Sequence, residues 1–113
     1  KRRQQAKIYM ENITNKKIKL PSIDKRLDPS WHIFPIRLNE RELFQEYMIK
    51  NNIQTLIHYP ELPINSLAFK DFGYKSESFI NALDWENKEV SIPIGPHLSD
   101  IQVMKIVDAI NKF

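Results

Sequence analysis

Three short runs of β-branched and aromatic residues, each broken or ended by a proline, most constrain the fold of this chain. Such runs predict strands, and a proline within a strand removes one ladder hydrogen bond, which favours an edge position or a bulge. Pro35 and Pro93 lie inside the first and third runs, whereas Pro60 only ends the second. We therefore expect the second run to be the central strand of a three-stranded sheet. The runs are WHIFPIRL (31–38), IQTLIHY (53–59) and EVSIPI (89–94).

Helical patterns alternate with these strands. Residues 2–14 carry an apolar stripe at helical spacing, and Val103, Ile106, Val107 and Ile110 form a stronger one. Three signals mark helix starts: Asn39 with Glu42, Ser76 alone, and Ser99 with Gln102. Both pairs have the spacing of a capping box. These patterns predict four helices, over 2–14, from Asn39 to Asn51-Asn52, from Ser76 to about Trp85, and from Ser99 to about Lys112.

The remaining segments predict connections. Residues 15–30 lack periodicity, and residues 60–75 form a long loop with a helical turn near 67–71 and a turn at Gly73. Gly95-Pro96 turns the chain before the last helix. Three strands covered by helices predict the α+β class, as a two-layer sandwich with a small three-stranded sheet.

Size and composition bound the type of protein. The 113 residues suit one domain, and the first residue is Lys1 although Met10 occurs later, so we expect a piece of a longer chain. No apolar run approaches the roughly 20 residues that cross a bilayer, and no apolar segment follows the start KRRQQAK, so neither a membrane span nor a signal peptide is expected. The absence of cysteine excludes disulfides and zinc–thiolate sites. It also fits a reducing compartment, and we expect a cytoplasmic location.

Charge and glycine content exclude several functions. The net charge of +3 is modest, and with only Gly73 and Gly95 there is no G-x-G-x-x-G motif, no P-loop and no RNA-recognition strand signature. His32, His58 and His97 lack metal-site spacing, so no metal is expected. A basic nucleic-acid binder that stacks bases on Trp31, Phe34 and Tyr59 is an alternative, but we expect no nucleic-acid partner.

The sequence His58-Tyr59-Pro60 is the candidate site. In a purely structural interpretation Tyr59 roofs the core and His58 faces water. In a functional interpretation the strand tip projects an imidazole and a phenol over a cavity, where both can hydrogen-bond to hydroxyls or phosphates. Because neighbouring strand residues point to opposite faces, the two side chains should separate unless the bend at Pro60 re-aims the tip.

Three stretches together resemble a known family. They are HIFPIRL, then NERELFQEYMIKNNIQTLIHYPELP, then VSIPIGPHLSDIQVMKIVDAI. In this order they are similar to the C-terminal small domain of the DegT/DnrJ/StrS sugar aminotransferases, fold-type-I pyridoxal-phosphate enzymes that aminate nucleotide-linked keto-sugars. The family often reads H-Y-P-x-P-x-H after the second strand. This chain departs from that pattern by one inserted residue before Pro63, and Asn65 stands where a second histidine is usual.

The resemblance implies how the work is divided in a full-length parent enzyme. Residues 1–18 would be a helix and lead-in, and residues 19–113 the aminotransferase small domain. The Schiff-base lysine, the acidic partner of the pyridine nitrogen and the phosphate donors would lie in an upstream large domain. Lys70 in AFKDFG is then a surface lysine. The chain itself would hold no catalytic, cofactor-binding or metal-binding residue.

The resemblance also implies partners and contacts. His58, Tyr59 and Asn65 would touch the nucleotide-linked sugar at the edge of the active-site cleft. The parent would use pyridoxal phosphate, pair with the upstream large domain and form a homodimer. A stand-alone βαβ module for a small ligand or a regulatory partner is the remaining alternative.

Overall fold

Two short antiparallel strands lie at the centre of the fold. A computed structural model describes all residues, Lys1–Phe113. It confirms the α+β class, with the regular elements α1 (Arg2–Asn12), β1 (Phe34–Arg37), α2 (Arg41–Lys50), α3 (Ile80–Lys88), β2 (Glu89–Ile92) and α4 (Asp100–Lys112). Short 3-10 segments in the connection between α2 and α3 span Pro63–Asn65, Leu67–Phe72 and Ser76–Ser78. None of the helices combines the length and the hydrophobicity that spanning a bilayer requires.

One face of the sheet carries the hydrophobic core. Phe34 pairs with Ile92 and Ile36 with Val90, which puts these four side chains on the same face. The Tyr9 ring of α1 lies 5.0 Å from the Phe34 ring. The predicted stripe of α4 is buried against the same core, and α2 adds the buried residues Phe44 and Met48.

The other face of the sheet is polar and partly covered by α3. Arg37 in β1 lies on this face, and its Nη1 donates to Asp84 of α3 over 2.7 Å. Its guanidinium also lies over the Trp85 ring, 4.5 Å from the centroid. Glu89 and Ser91 of β2 share this face and are both buried. The candidate site is built here.

The predicted central strand, 53–59, is neither central nor a full strand. It makes a single bridge, Leu56 to Ser91, on the outer side of β2, so the three-stranded sheet is reduced to two strands. The next ladder bond on one side would need an N–H from Pro93, which has none. On the other side the His58 N–H donates to the Glu89 side chain instead. The pairing of this segment with β2 is therefore limited to the one pair Leu56–Ser91.

The first predicted strand is confirmed but is shorter than 31–38. Trp31 has a positive φ of 54°, so the extended backbone begins only after it. Pro35 does lie at an edge, as predicted: Arg37 bonds Lys19 on the outer side of β1, and the missing N–H of Pro35 faces that same side.

Helix starts depend on what the capping side chains bind. The Ser99–Gln102 capping box is confirmed, with both reciprocal bonds formed. The Asn39 cap is wrong: α2 begins at Arg41 without a side-chain cap, and the Glu42 carboxylate binds Arg41. The Ser76 cap is also wrong, because its hydroxyl donates to the Asn65 side chain and α3 begins only at Ile80.

Turn positions agree better with the sequence. The helical turn expected near 67–71 is the 3-10 segment Leu67–Phe72, and Gly73 follows it with a positive φ of 68°. Asn52 ends the second helix at a φ of 58°, a conformation that asparagine tolerates better than most residues.

Two buried polar side chains of α1 attach the helix to the segment after β2. Gln5 donates to the carbonyls of Gly95 and Leu98 and accepts from the Gly95 N–H. The Tyr9 hydroxyl donates to the Pro93 carbonyl over 2.6 Å. Because both side chains are fully buried, these bonds supply the partners that their polar atoms cannot obtain from water.

Replacing Tyr9 by Phe should lower the free energy of unfolding by about 1–2 kcal/mol, because the Pro93 carbonyl loses its donor inside the protein. Tyr47→Phe is the matched control, since the Tyr47 ring is only half-buried and its hydroxyl makes no hydrogen bond within the chain. Urea unfolding of both variants measures the difference. Equal losses in the two variants would contradict the role given to the Tyr9 hydroxyl.

Burial raises the pKa of Tyr9 above its ordinary value near 10. A raised folded-state pKa means that the stabilisation is complete below pH about 10 and is lost as the pH rises further. We therefore expect the wild-type chain to lose stability above that pH more steeply than Tyr9→Phe. Unfolding curves across the alkaline range test this, and parallel pH profiles would contradict it.

Candidate functional site

Two surface grooves meet at His58. The larger, of about 1020 Å³, runs between the 49–56 segment and residues 91–94, the end of β2 and the two residues after it. The smaller, of about 500 Å³, lies between the loop after His58 and α3, and its lining includes Tyr59, Glu61 and Trp85. His58 lines both grooves, so the structure places the candidate histidine at a junction of two open surfaces.

The side chains of His58 and Tyr59 do not separate to opposite faces of a strand, because both line the smaller groove. The His58 and Tyr59 rings stand edge to face, with centroids 5.6 Å apart. Tyr59 is 77% exposed, so the interpretation in which it roofs the core is wrong. His58 is half-buried, and its Nδ1 is buried with no hydrogen-bond partner. The peptide bond between the two residues is cis.

Two glutamates hold the ends of the exposed loop. The His58 N–H donates to Glu89 Oε2 over 2.7 Å, and the Leu62 N–H donates to Glu86 Oε1 over the same distance. Both carboxylates come from the junction of α3 and β2, a helix and a strand that follow each other directly. The loop between the two attachment points, 59–61, is exposed to solvent.

Glu89 is the more deeply buried of the two anchors. Its exposed fraction is 3%, and its second oxygen, Oε1, accepts from the Ser91 hydroxyl over 2.5 Å. No lysine, arginine or histidine forms an ion pair with it. Hydrogen bonds from neutral donors therefore compensate the burial of this side chain.

A second charged group supports α3 beside the site. Asp84 accepts from both Arg37 and Lys88. The hydrogen bond from Lys88 lowers the pKa of the Asp84 carboxyl, and the positive charges of Lys88 and Arg37 lower it further. The Lys88–Asp84 pair lies within α3, whereas Arg37 of β1 ties α3, and with it Trp85 and Glu86, to the polar face of the sheet.

The third candidate, Asn65, lies apart from the other two. It is exposed at the end of the 3-10 segment Pro63–Asn65, and its Oδ1 accepts from the Ser76 hydroxyl. It does not line the smaller groove, whereas His58 and Tyr59 do. The structure therefore brings two of the three predicted residues together.

The structure also shows where His32 lies and where the three aromatic residues of the nucleic-acid alternative lie. His32 lines the larger groove with His58, although nothing in their spacing predicts it, and no three acidic or histidine side chains cluster as metal ligands. Phe34 is fully buried and Trp31 stacks on it at 5.0 Å. Trp31, Phe34 and Tyr59 thus do not form the exposed stacking surface that a nucleic-acid binder needs.

Sequence reasoning missed Glu86, Glu89 and Ser91. For the last two a signal was present: in EVSI the polar residues alternate with apolar ones, which places both on one face of a strand. Burial of that polar face was the unpredicted part. Glu86 gave no comparable signal, because an exposed-looking glutamate on a short helix is ordinary.

With this geometry described, comparison with known proteins identifies the family. The family model of the DegT/DnrJ/EryC1/StrS aminotransferases matches residues 1–111. The chain belongs to this family. It is 39% identical over its whole length to a dTDP-3-amino-3,6-dideoxy-alpha-D-galactopyranose transaminase of Aneurinibacillus thermoaerophilus, and covers 31% of that protein. It is 32% identical over 97 residues, 85% of its length, to dTDP-3-amino-3,4,6-trideoxy-alpha-D-glucose transaminase of Streptomyces venezuelae, and covers 25% of it.

Solved structures agree with this assignment. DesV of S. venezuelae, determined in complex with a ketimine intermediate, matches 98% of the chain with a TM-score of 0.92 and 29% identity. The putative sugar aminotransferase Spr1654 from Streptococcus pneumoniae, in its PMP form, shares the fold with a TM-score of 0.84. The chain covers 30% and 29% of these two structures, so it spans about a third of the length of the proteins it matches.

The residues that line the two grooves at His58 do not fit a pyridoxal-phosphate site. Schiff-base chemistry needs a lysine, and no lysine lines either groove at His58. Lys70 is exposed within the 3-10 segment Leu67–Phe72, outside both grooves.

Replacing Glu86 by Ala should loosen the loop at its Leu62 end. The lost hydrogen bond to a half-exposed carboxylate is worth about 1 kcal/mol, so the Leu62 amide should exchange with solvent about fivefold faster. Hydrogen exchange followed by NMR measures it. Glu77→Ala, an exposed glutamate without a hydrogen bond, is the control. Unchanged protection of Leu62 would show that Glu86 does not hold the loop.

Proposed function

We propose that this chain is the C-terminal small domain of a sugar aminotransferase. In the full enzyme the reaction would transfer an amino group, commonly from glutamate, to a keto-sugar nucleotide. Family membership and the names of the relatives support this reaction class. Residues 19–113 are the proposed small domain, with residues 1–18 as the helix and lead-in, and the proposed location is the cytoplasm.

One observation carries the role given to this domain. The loop that follows His58 is anchored at both ends by buried or half-buried glutamates, and its middle faces solvent. Such an arrangement holds side chains outward in a fixed position, as a substrate contact requires. A strand end that only closed the core would bury Tyr59.

Each candidate residue has a distinct proposed role. His58 is the hydrogen-bond donor to the sugar nucleotide, because it lines both grooves and an imidazole can donate a hydrogen bond to hydroxyl or phosphate oxygens. Tyr59 lines the cleft edge beside it. Asn65 is the third contact: Ser76 occupies its Oδ1, so its amide nitrogen is available as a donor.

The cofactor and the partners belong to the rest of the enzyme. Pyridoxal phosphate would be held by the upstream large domain, which supplies the lysine and the imine chemistry. Exposed apolar side chains between residues 67 and 80 support contact with this domain and with a second subunit, because isolated proteins rarely expose such patches. They are Leu67, Phe69, Phe72, Tyr74, Phe79 and Ile80.

His58→Ala in the full-length enzyme should reduce kcat/KM for the sugar nucleotide by about ten- to a hundredfold, the effect of one lost hydrogen bond to a charged group. The absorbance of the bound cofactor should not change. His97→Ala is the matched control, because His97 is exposed and lines neither groove. If His58→Ala keeps the wild-type kcat/KM, the strand end has no substrate role.

Adding pyridoxal phosphate to the purified 113-residue chain should give no internal aldimine. Neither groove at His58 contains a lysine, so no borohydride-trappable absorbance at about 410–430 nm is expected. The full-length enzyme is the positive control. A trappable band on the chain itself, mapped to one of its lysines, would contradict the assignment of the cofactor to the large domain.

A further inference from the structure

Glu89 stands where the sheet would otherwise continue. Leu56 and Ser91 exchange two backbone hydrogen bonds, so the next such pair in an antiparallel ladder is His58 with Glu89. In that pair the His58 N–H would donate to the Glu89 backbone carbonyl. Instead it donates to the carboxylate of the same residue. The side chain is thus inserted between the strand end and the sheet.

This insertion determines where the tip lies. A carboxylate acceptor keeps the His58 backbone a side-chain length away from β2, which a direct ladder bond would not allow. The Ser91 hydroxyl holds the other carboxylate oxygen, so the acceptor itself is fixed. Leu56, one bridge before, remains bonded to the sheet, and the chain therefore leaves the sheet between residues 56 and 58.

We propose that Glu89 is a positioning residue for substrate recognition, acting through His58. This inference rests on the function proposed for His58 above. Glu89 touches no substrate: it is 3% exposed and both its oxygens are occupied. Its part is to hold the His58–Tyr59 tip away from the sheet and toward the two grooves.

Two substitutions of Glu89 separate the effect of its charge from the effect of its hydrogen bonds. A glutamine at position 89 can accept from the His58 N–H with its oxygen and donate to Ser91 with its nitrogen, because a hydroxyl can reverse its direction. A leucine has a similar size but offers neither group. With Glu89→Leu the His58 N–H is free to form the ladder bond and draw the tip toward β2.

The test uses the full-length enzyme with a sugar nucleotide. Glu89→Leu should lower kcat/KM by about ten- to a hundredfold, mainly through KM, while Glu89→Gln should stay within about threefold of wild type. Glu46→Leu, the same replacement at an exposed position of α2, is the control. The cofactor spectrum should be the same in all variants.

A double-mutant cycle with His58 separates positioning from a general loss of structure. If Glu89 acts through His58, then Glu89→Leu in a His58→Ala background should cost no more than about threefold further. Multiplying losses would overturn the proposal, as would wild-type kcat/KM in Glu89→Leu. If His58→Ala itself has no effect, the proposed function fails first; if only Glu89→Leu has none, this inference alone fails.

A shorter acid provides the test if Glu89→Leu does not fold. Glu89→Asp keeps the charge but withdraws the oxygens by one methylene, so it cannot reach both His58 and Ser91 in the present geometry. We expect a loss of kcat/KM of about fivefold or more that again disappears in the His58→Ala background. Full activity of Glu89→Asp, or a loss that persists without His58, overturns the proposal.

Discussion

The burial of β2 on both faces is the constraint on which the rest of the structure depends. All four of its residues are buried, and two of them are polar. A buried carboxylate and a buried hydroxyl are costly unless each finds a hydrogen-bond partner. Glu89 and Ser91 satisfy each other, and the remaining carboxylate oxygen takes the His58 N–H. The position of the candidate site thus follows from satisfying the polar face of one short strand.

The segment after β2 is held from the opposite side of the molecule. Gln5 and Tyr9 of α1 bind backbone groups of residues 93–98, and both side chains are fully buried. The first helix is therefore part of the same packed unit as the sheet. Pro93 is important for both arrangements: its carbonyl accepts from Tyr9, and its missing N–H ends the pairing with the 53–57 segment.

Much of the fold could be predicted because local rules governed it. The α4 stripe, the Ser99–Gln102 cap, the turn at Gly73 and the edge position of Pro35 depend on residues close in sequence or on the chemistry of one residue. The failed predictions share another cause. Glu42, Ser76 and Glu89 each use their side chain in a bond other than the expected one: Glu42 with its neighbour Arg41, and Ser76 and Glu89 with groups distant in sequence.

The sequence predicts the two residues at the tip of the candidate site but not the glutamates that hold the tip in place. His58 and Tyr59 stand out in the sequence as a strand end followed by proline, and the structure brings their rings together. The glutamates that hold the loop come from 24 and 31 residues further along the chain. A long-range bond between a backbone N–H and a carboxylate has no sequence signature, so only the folded structure reveals it.

The small core leaves the exposed tip and the exposed apolar side chains with different kinds of support. Only 20 of the 113 residues are buried, and exposed apolar side chains lie in the long connection after the tip. A unit with so little buried surface gains stability by covering those side chains with another domain. The tip, by contrast, is anchored from within, by groups of α3 and β2. In the aminotransferase proposed above, a substrate contact at this tip would therefore be oriented by groups of its own domain and not by the rest of the enzyme.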